Sequence, residues 1–316
     1  MRAFVFPGQG AQAIGMGRDL AEHYPAARAV FDMVDEALGE KLSTLIWEGE
    51  ADALTLTRNA QPALMATSLA AMAALEAEGV SMQDVDFVAG HSLGEYSALA
   101  AADALSIADC ARLLRTRGEA MQNAVPVGEG AMAAVLGLPI EEVERIAAEA
   151  ASEGVCEVAN ENDPAQTVIS GAKPAVERAT VLAKEAGAKR ALLLPVSAPF
   201  HCVLMEPAAR VMEEALAAVT IATPSVPVVA NVKAGPVTDP DEIRALLVAQ
   251  VAGRVRWSAS VDWMARQGVT EAYEVGAGKA LSGMIKRIAR DVTCHAVGTP
   301  EAVQSAAIVI KGEHDV

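Results

Sequence analysis

Basic residues are scarce in this 316-residue chain: 25 Lys and Arg stand against 41 Asp and Glu, a formal charge of -16. A surface of that sign repels phosphate backbones and anionic headgroups, so neither nucleic acid nor a membrane is expected as a partner. Long apolar runs are missing too. Asp103 and Asp109 interrupt the richest Ala/Leu region, and no uncharged apolar stretch reaches the ~18 residues of a membrane span. The opening MRAFVFPGQG is too short for the apolar core of a signal peptide, and a cytoplasmic protein is expected. Cys110, Cys156, Cys202 and Cys294 form no C-x-x-C pair and no metal-finger spacing, which predicts free thiols and no zinc site. No repeat period or low-complexity segment occurs. What is present is core material: 52% hydrophobic against 21% charged residues excludes disorder and collagen-like architectures. At roughly 150 residues per domain, the length predicts about two domains, or one large domain carrying an insertion.

Residues 2–6 read as a buried strand ended by Pro7-Gly8-Gln9-Gly10, with an amphipathic helix over about 15–23. Residues 61–78 read as a helix with Pro62 in its first turn, where a missing N–H costs nothing, stopped at Gly79. A strand over 86–89 runs into Gly90-His91-Ser92-Leu93-Gly94; helices over 96–104 and about 107–124 follow. This alternation favours a parallel sheet flanked by helices. Between 130 and 196 the order becomes strand 131–138, helix 140–151, strands 155–159 and 167–170 about an Asn162-Asp163-Pro164 turn, helix 174–186, strand 190–194. That is the β-α-β-β-α-β order of ferredoxin-like folds, which can bury its own apolar face. The expected organisation is α/β: residues 1–128 with 197–316 as the large subdomain, and 129–196 as an inserted ferredoxin-like one. The rest reads as helix 203–216, strand 226–231, helix 241–251, strand 271–275 and a final helix over 279–290.

Gly90-His91-Ser92-Leu93-Gly94 is a G-x-S-x-G sequence between a strand and a helix, the context in which that motif exposes a serine nucleophile. The sharp turn lifts the Ser92 hydroxyl above the sheet, and the Leu93 N–H points from a helix N-terminus toward an attacked carbonyl oxygen. Gly8-Gln9-Gly10-Ala11-Gln12-Ala13 matches a dinucleotide fingerprint, but Asp32 and Asp35 fall in a helical pattern instead of ending a second strand. That loop can equally aim a backbone N–H, such as that of Gln9, at an oxyanion.

A serine needs a base. His23 closes a surface helix, His295 sits in strand-like 292–297, His314 lies in a polar tail, and His91 should point away from its neighbour Ser92. His201 remains, in the proline-stiffened Pro195-Val196-Ser197-Ala198-Pro199-Phe200-His201; a helix-capping histidine is its competing reading. On the helix over 107–124, Cys110, Leu114, Gly118 and Met121 form an apolar stripe with Arg112, Arg115 and Glu119 opposite, and Arg117 falls inside the stripe. A buried guanidinium demands a carboxylate, from the protein or from a ligand, and the pattern leaves both open.

Phe6-Pro7-Gly8-Gln9-Gly10-Ala11-Gln12, Gln61-Pro62-Ala63-Leu64, Gly90-His91-Ser92-Leu93-Gly94-Glu95-Tyr96, Arg117-Gly118 with Met121, and Ser197-Ala198-Pro199-Phe200-His201 resemble the malonyl-CoA:acyl carrier protein transacylases of type II fatty acid synthesis. The resemblance runs over residues 1–295. It implies an α/β-hydrolase-like large subdomain with a ferredoxin-like insertion. It also implies Ser92 as nucleophile, His201 as base oriented by the main-chain carbonyl of Gln250, Gln9 and Leu93 amides as oxyanion hole, and Arg117 as anchor for the malonyl carboxylate. Gln61, Glu95, Met121, Asn160, Asn162 and Phe200 are expected around the pocket. Phe200 replaces the serine common there in bacterial relatives and resembles the bulky residue of malonyl-selective acyltransferases. The implied reaction is ping-pong transfer between malonyl-CoA and acyl carrier protein, by a monomer without metal or redox cofactor.

Carrier proteins of this kind are acidic, so an acidic enzyme needs a local basic face. Lys279, Lys286, Arg287 and Arg290 on the final helix are the expected docking residues. Two other classes fit the motifs: a hydrolase using the same elbow and base, which Arg117 disfavours, and a non-catalytic carrier-binding module, which intact Ser92 and His201 disfavour.

Overall fold

The computed structural model describes residues 1–196 and 198–312. Ten strands form: β1 (Arg2–Phe6), β2 (Phe87–Gly90), β3 (Gly130–Leu136), β4 (Cys156–Asp163), β5 (Gln166–Ala172), β6 (Arg190–Leu193), β7 (Val228–Ala230), β8 (Gly235–Val237), β9 (Glu271–Val275) and β10 (Thr293–Val297). They sort into a six-stranded sheet of order β10-β9-β1-β2-β7-β8 and a four-stranded sheet of order β4-β5-β3-β6. All pairs of the first are parallel except the β7–β8 hairpin; the second is antiparallel throughout. The fold is a mixed α/β one, an α/β-hydrolase-like layer with a ferredoxin-like sheet inserted in its sequence.

Parallel strands at the centre of a sheet must be apolar on both faces, and β1 meets that demand with alternating side chains. Phe4 and Phe6 enter a core with the helices Pro25–Leu38, Thr57–Ala77 and Ile107–Asn123. Ala3 and Val5 enter another, with Trp257, Val261, Leu281 and Ile285 from the helices Trp257–Arg266 and Ala280–Ile288. In the small sheet, Ala133, Val135 and Ile169 pack on the helices Ile140–Ala150 and Lys173–Glu185. Met132, Ala134 and Val168 look the other way, toward the large subdomain. The two parts are stitched by backbone: Val255 N–H donates to Ala159 O at 2.8 Å, and Glu161 N–H donates to Val255 O at 2.9 Å. Arg254 adds bonds of 2.7 Å to both Glu144 and Glu161.

Three departures from expectation bear on the site and its surroundings. The helix Thr57–Ala77 starts four residues before Gln61, leaving Pro62 inside it. Its first turn is held by a tertiary contact that the proline rule does not see: at Gly118 a Cβ would lie 2.6 Å from Arg58 Cα, so only glycine lets the two helices approach. Strand β4 continues through Asn162 to Asp163 instead of turning there, with irregular pairing at Val158/Asn160 and Glu161/Asp163. Such bulges re-aim side chains, and Asn160 and Asn162 are both buried. The helix expected over 279–290 is Ala280–Ile288 and is not the last, since β10 and the helix Pro300–Lys311 follow it.

Candidate active site

The turn between β2 and the helix Gly94–Ala101 holds Ser92 at φ 53°, a left-handed conformation that costs a serine energy and persists only where the surroundings enforce it. Glycines permit the close packing. A Cβ on Gly90 would fall on the Gly94 carbonyl group, and one on Gly94 would run into Phe6 O. Asn231, just beyond β7 and fully buried, clamps the turn from beside it: its Oδ1 accepts from Ser92 N–H at 2.7 Å and its Nδ2 donates to Gly90 O at 2.6 Å. The sequence reading missed this residue. Its one signal is a polar side chain ending an apolar strand.

Ser92 Oγ lies 2.8 Å from His201 Nε2. On the other side of the ring, Nδ1 faces the carbonyl oxygens of Gln250 at 2.9 Å and Gly253 at 3.2 Å. Carbonyls only accept, so Nδ1 carries the proton and Nε2 presents a lone pair to the serine hydroxyl. Burial, and then the Arg117 charge, push the His201 pKa down from 6.5 to about 3, which keeps the ring neutral around pH 7. The capping alternative is not realised, because both ring nitrogens are spent on these partners. His91 turns away as expected and pairs through Nε2 with Asn162 Oδ1 at 2.9 Å. His295 stacks on Tyr273, their rings 5.3 Å apart, and His23 ends a short helix. His314 and Ser197 lie outside the described residues.

Arg117 is 1% exposed. Among the described residues no carboxylate is within ion-pair distance of it; its partners are Gln61 Oε1 at 2.8 Å, Gln250 Oε1 at 2.8 Å and Ser92 Oγ at 3.0 Å. The guanidinium also sits 5.7 Å above the Tyr96 ring. Burial pulls its pKa below the usual arginine value. The helix face divides as expected except at Arg115, which bonds Asn59 and Glu40 and is half-buried instead of free. Arg112 is exposed and, among the described residues, paired only with Asp109.

Gln250 does more than lend its carbonyl. Its side-chain Nε2 donates to Ser92 O at 3.0 Å and to Glu95 Oε2 at 2.9 Å, which fixes Oε1 toward Arg117. Glu95 Oε2 also accepts from Asn231 N–H at 2.9 Å. Glu95 was expected in the pocket wall; it lies instead behind Gln250 and Asn231, away from the cleft. Burial there raises its pKa from 4.5 to about 7.

These groups open on a cleft of about 440 Å³ between the two sheets, whose wall includes Gln61, Met121, Asn160, Asn162 and Phe200 as expected. Gln9 and Leu93 line the cleft together with Ser92. Neither of their backbone N–H groups has an acceptor among the described residues. Of the expected docking residues, Lys279, Lys286 and Arg290 are exposed, but Lys279 caps the helix and Arg290 lies beyond its end, so they do not share a helical face. Arg287 is exposed too but engaged: its Nε is 2.7 Å from Asp163 Oδ2, a carboxylate only 1% exposed. Among the described residues no group of His, Cys, Asp and Glu could hold a metal ion, and no helix is long and apolar enough to cross a membrane.

A nucleophile paired with a neutral base, two unpaired amides on residues of the same cleft and a buried cation at bonding distance together suit acyl transfer from a substrate bearing a negative charge. The acyl transferase domain family matches residues 3–275. The malonyl CoA-acyl carrier protein transacylase of Bacillus subtilis is 48% identical over 99% of this chain and 98% of its own. A crystal structure of an acyl-carrier-protein S-malonyltransferase from Bartonella henselae superposes with TM-score 0.96 at 54% identity, covering 98% of this chain and 99% of that one. A malonyl-transacylase solved in complex with a type II polyketide acyl-carrier protein gives TM-score 0.94 at 40% identity, covering 97% and 98%.

Proposed function

The chain belongs to the malonyl CoA-acyl carrier protein transacylases, and on that footing we propose that it carries malonyl groups from malonyl-CoA to the phosphopantetheine thiol of an acyl carrier protein, through an ester on Ser92, supplying the extender unit of fatty acid synthesis. The observation that carries this reading is Arg117, a buried cation with no carboxylate within ion-pair distance among the described residues, 3.0 Å from the Ser92 hydroxyl. A plain acyl hydrolase has no use for it.

Ser92 Oγ attacks the thioester carbonyl as its proton passes to His201 Nε2 over 2.8 Å. The new oxyanion takes the N–H groups of Leu93 and Gln9, the first also at a helix N-terminus. The C–S bond breaks, and His201 returns the proton to the departing CoA sulfur. In the second half, His201 takes the proton of the carrier thiol, the sulfur attacks the seryl ester, and Ser92 Oγ leaves with that proton. The imidazolium formed in each half is steadied by the Gln250 carbonyl at 2.9 Å in place of an acid. Arg117 binds the malonyl carboxylate, a charge-assisted contact worth about 1.5–3 kcal/mol. Phe200 narrows the acyl pocket in favour of malonyl over bulkier units.

The same reading makes 129–196 a subdomain that roofs a site carried by 1–128 and 197–316; the separate core on the outer face of its sheet supports this. It has the enzyme act in the cytoplasm as a monomer, with no cofactor and neither nucleic acid nor membrane as partner. Incubation with radiolabelled malonyl-CoA should leave an acid-stable label on Ser92, absent in Ser92→Ala, that carrier protein removes. Arg117→Ala should lower malonyl transfer by about 10- to 100-fold without lowering acetyl transfer. An unchanged malonyl-to-acetyl ratio would remove Arg117 from its assigned role.

A further inference from the structure

The five N–H donors of Arg117 are unevenly committed. Nη1 donates to Gln61 Oε1 at 2.8 Å, whereas Nη2 serves two acceptors, Gln250 Oε1 at 2.8 Å and Ser92 Oγ at 3.0 Å. Nε is buried without a partner. A planar guanidinium offers a carboxylate two double-donor edges: Nε–H with one Nη2–H, and Nη1–H with the other Nη2–H. Both edges contain an Nη2 hydrogen, and both Nη2 hydrogens are taken. A carboxylate held by two parallel bonds must therefore displace either Gln250 or Ser92.

Gln250 is the poorer candidate to yield. It is fully buried, and its Nε2 is tied to Glu95 Oε2 at 2.9 Å and Ser92 O at 3.0 Å, so Oε1 cannot turn without breaking both bonds. Ser92 Oγ hangs on a single rotatable bond at the wall of the cleft, where the acyl group arrives. We propose that the Arg117–Ser92 hydrogen bond is a restraint on the nucleophile that the carboxylate of an arriving acyl group releases, so that a dicarboxylic acyl thioester frees its own attacking serine. This rests on the acyl-transfer reading above and adds a second layer to it: selectivity arises in the acylation step as well as in binding.

The chemistry of the pair supports the direction. In the free protein, Ser92 Oγ gives its hydrogen to His201 and accepts one from a cation, which draws lone-pair density away from attack. The same positive charge opposes formation of an imidazolium on His201, whose affinity for a proton it lowers. His91, also in the cleft wall, acts on that ring less than Arg117 does, and Glu144, Glu157 and Arg254 border a separate recess that His201 also lines; Arg117, 3.0 Å from Ser92 Oγ, is the cation beside the reacting atoms. A ligand carboxylate neutralises that cation and takes its Nη2 hydrogen in one event.

The test supplies the malonyl group in two pieces. Acylation of Ser92 by acetyl-CoA is timed with increasing sodium formate, against sodium chloride at equal ionic strength, with malonyl-CoA in a parallel arm. Formate at the Arg117 edge should speed acetylation saturably, by about tenfold, the size of one released charge-assisted bond. Arg117→Ala, with the restraint deleted, should acetylate at about the formate-saturated rate and ignore formate. Formate that leaves acetylation unchanged or only inhibits it, while malonyl-CoA acylates Ser92 normally, would overturn the restraint alone. Failure of malonyl-CoA to acylate Ser92 would overturn the acyl-transfer reading and the restraint with it.

Discussion

Asn231 shows how much of this site hangs on one side chain. It holds the two ends of a turn that Ser92 enters at φ 53°, and it is not part of the cleft wall. Asn231→Ala should therefore lower kcat of the acylation step by at least about tenfold with little change in KM, since removal of two buried bonds costs roughly 1–3 kcal/mol of turn geometry. Stopped-flow acylation separates the two parameters; a change confined to KM would contradict a positioning role. Glu95 and His201 make a second residue-scale case, through opposite shifts. Between pH 4.5 and about 7 the native state holds a proton on Glu95 that the unfolded chain has lost, so this group makes stability fall as pH rises. Between about pH 3 and 6.5 the native state lacks a proton that unfolded His201 has gained, so this one makes stability fall as pH drops. In the overlap the two slopes offset each other. Glu95→Gln removes the first, and its urea-unfolding free energy should rise with pH between 5 and 6 more steeply than that of the parent, by up to about 1 kcal/mol per unit. Parallel slopes would mean that Glu95 is charged throughout.

At the scale of elements, backbone clearances decide what each glycine does. In the elbow, a methyl group on Gly94 meets the carbonyl oxygens of Phe6 and Pro7, which belong to the central strand and the loop after it and cannot give way. Gly94→Ala should cost about 3 kcal/mol or more, or displace Ser92 and abolish acylation. In the helix Ala280–Ile288, a Cβ on Gly283 would meet only the Arg287 side chain at 3.5 Å, and Gly283→Ala should stabilise by about 0.5–1 kcal/mol through the unfolded chain. Thermal unfolding of the two variants should move in opposite directions. The contrast bears on what a sequence exposes. The elbow was legible because its strand, turn and helix are contiguous, and Arg117 because 3.6-residue periodicity alone puts a cation into an apolar stripe. Asn231 and the Gln250 side chain act on Ser92 from 139 and 158 residues away, and no local pattern connects them. The start of the helix Thr57–Ala77 was misplaced for a related reason, its first turn resting on Gly118 of a distant helix. The path of β4 through Asn160 and Asn162 was missed because bulges break the alternation from which a strand is read.

The whole molecule must bring an acidic partner to an acidic surface, and its helix Ala280–Ile288 carries basic residues in two different settings that the sequence pattern runs together. Glu274, buried at the end of β9, accepts from the N–H groups of Leu281 and Ser282 at 3.0 and 2.7 Å and so seats the helix on the large subdomain. At its other end, Arg287 reaches the insertion through Asp163, at the close of the strand that carries Asn160 and Asn162 into the cleft. Lys286, beside it, is exposed and has no partner in any ion pair among the described residues. Charge reversal should therefore split the neighbours. Lys286→Glu should raise KM for the carrier protein and weaken the salt dependence of the second half-reaction, leaving acylation of Ser92 by malonyl-CoA unchanged. Arg287→Glu places two carboxylates against each other across the subdomain boundary, one of them buried, and should slow both half-reactions and lower Tm. Asp163→Arg combined with Arg287→Glu tests the pair directly, since restored charge complementarity should recover part of the acylation rate but none of the carrier affinity that a lost basic face removes. If Lys286→Glu slowed acylation by malonyl-CoA as much as transfer to the carrier protein, as Arg287→Glu should, the helix would serve structure alone and the carrier protein would dock elsewhere.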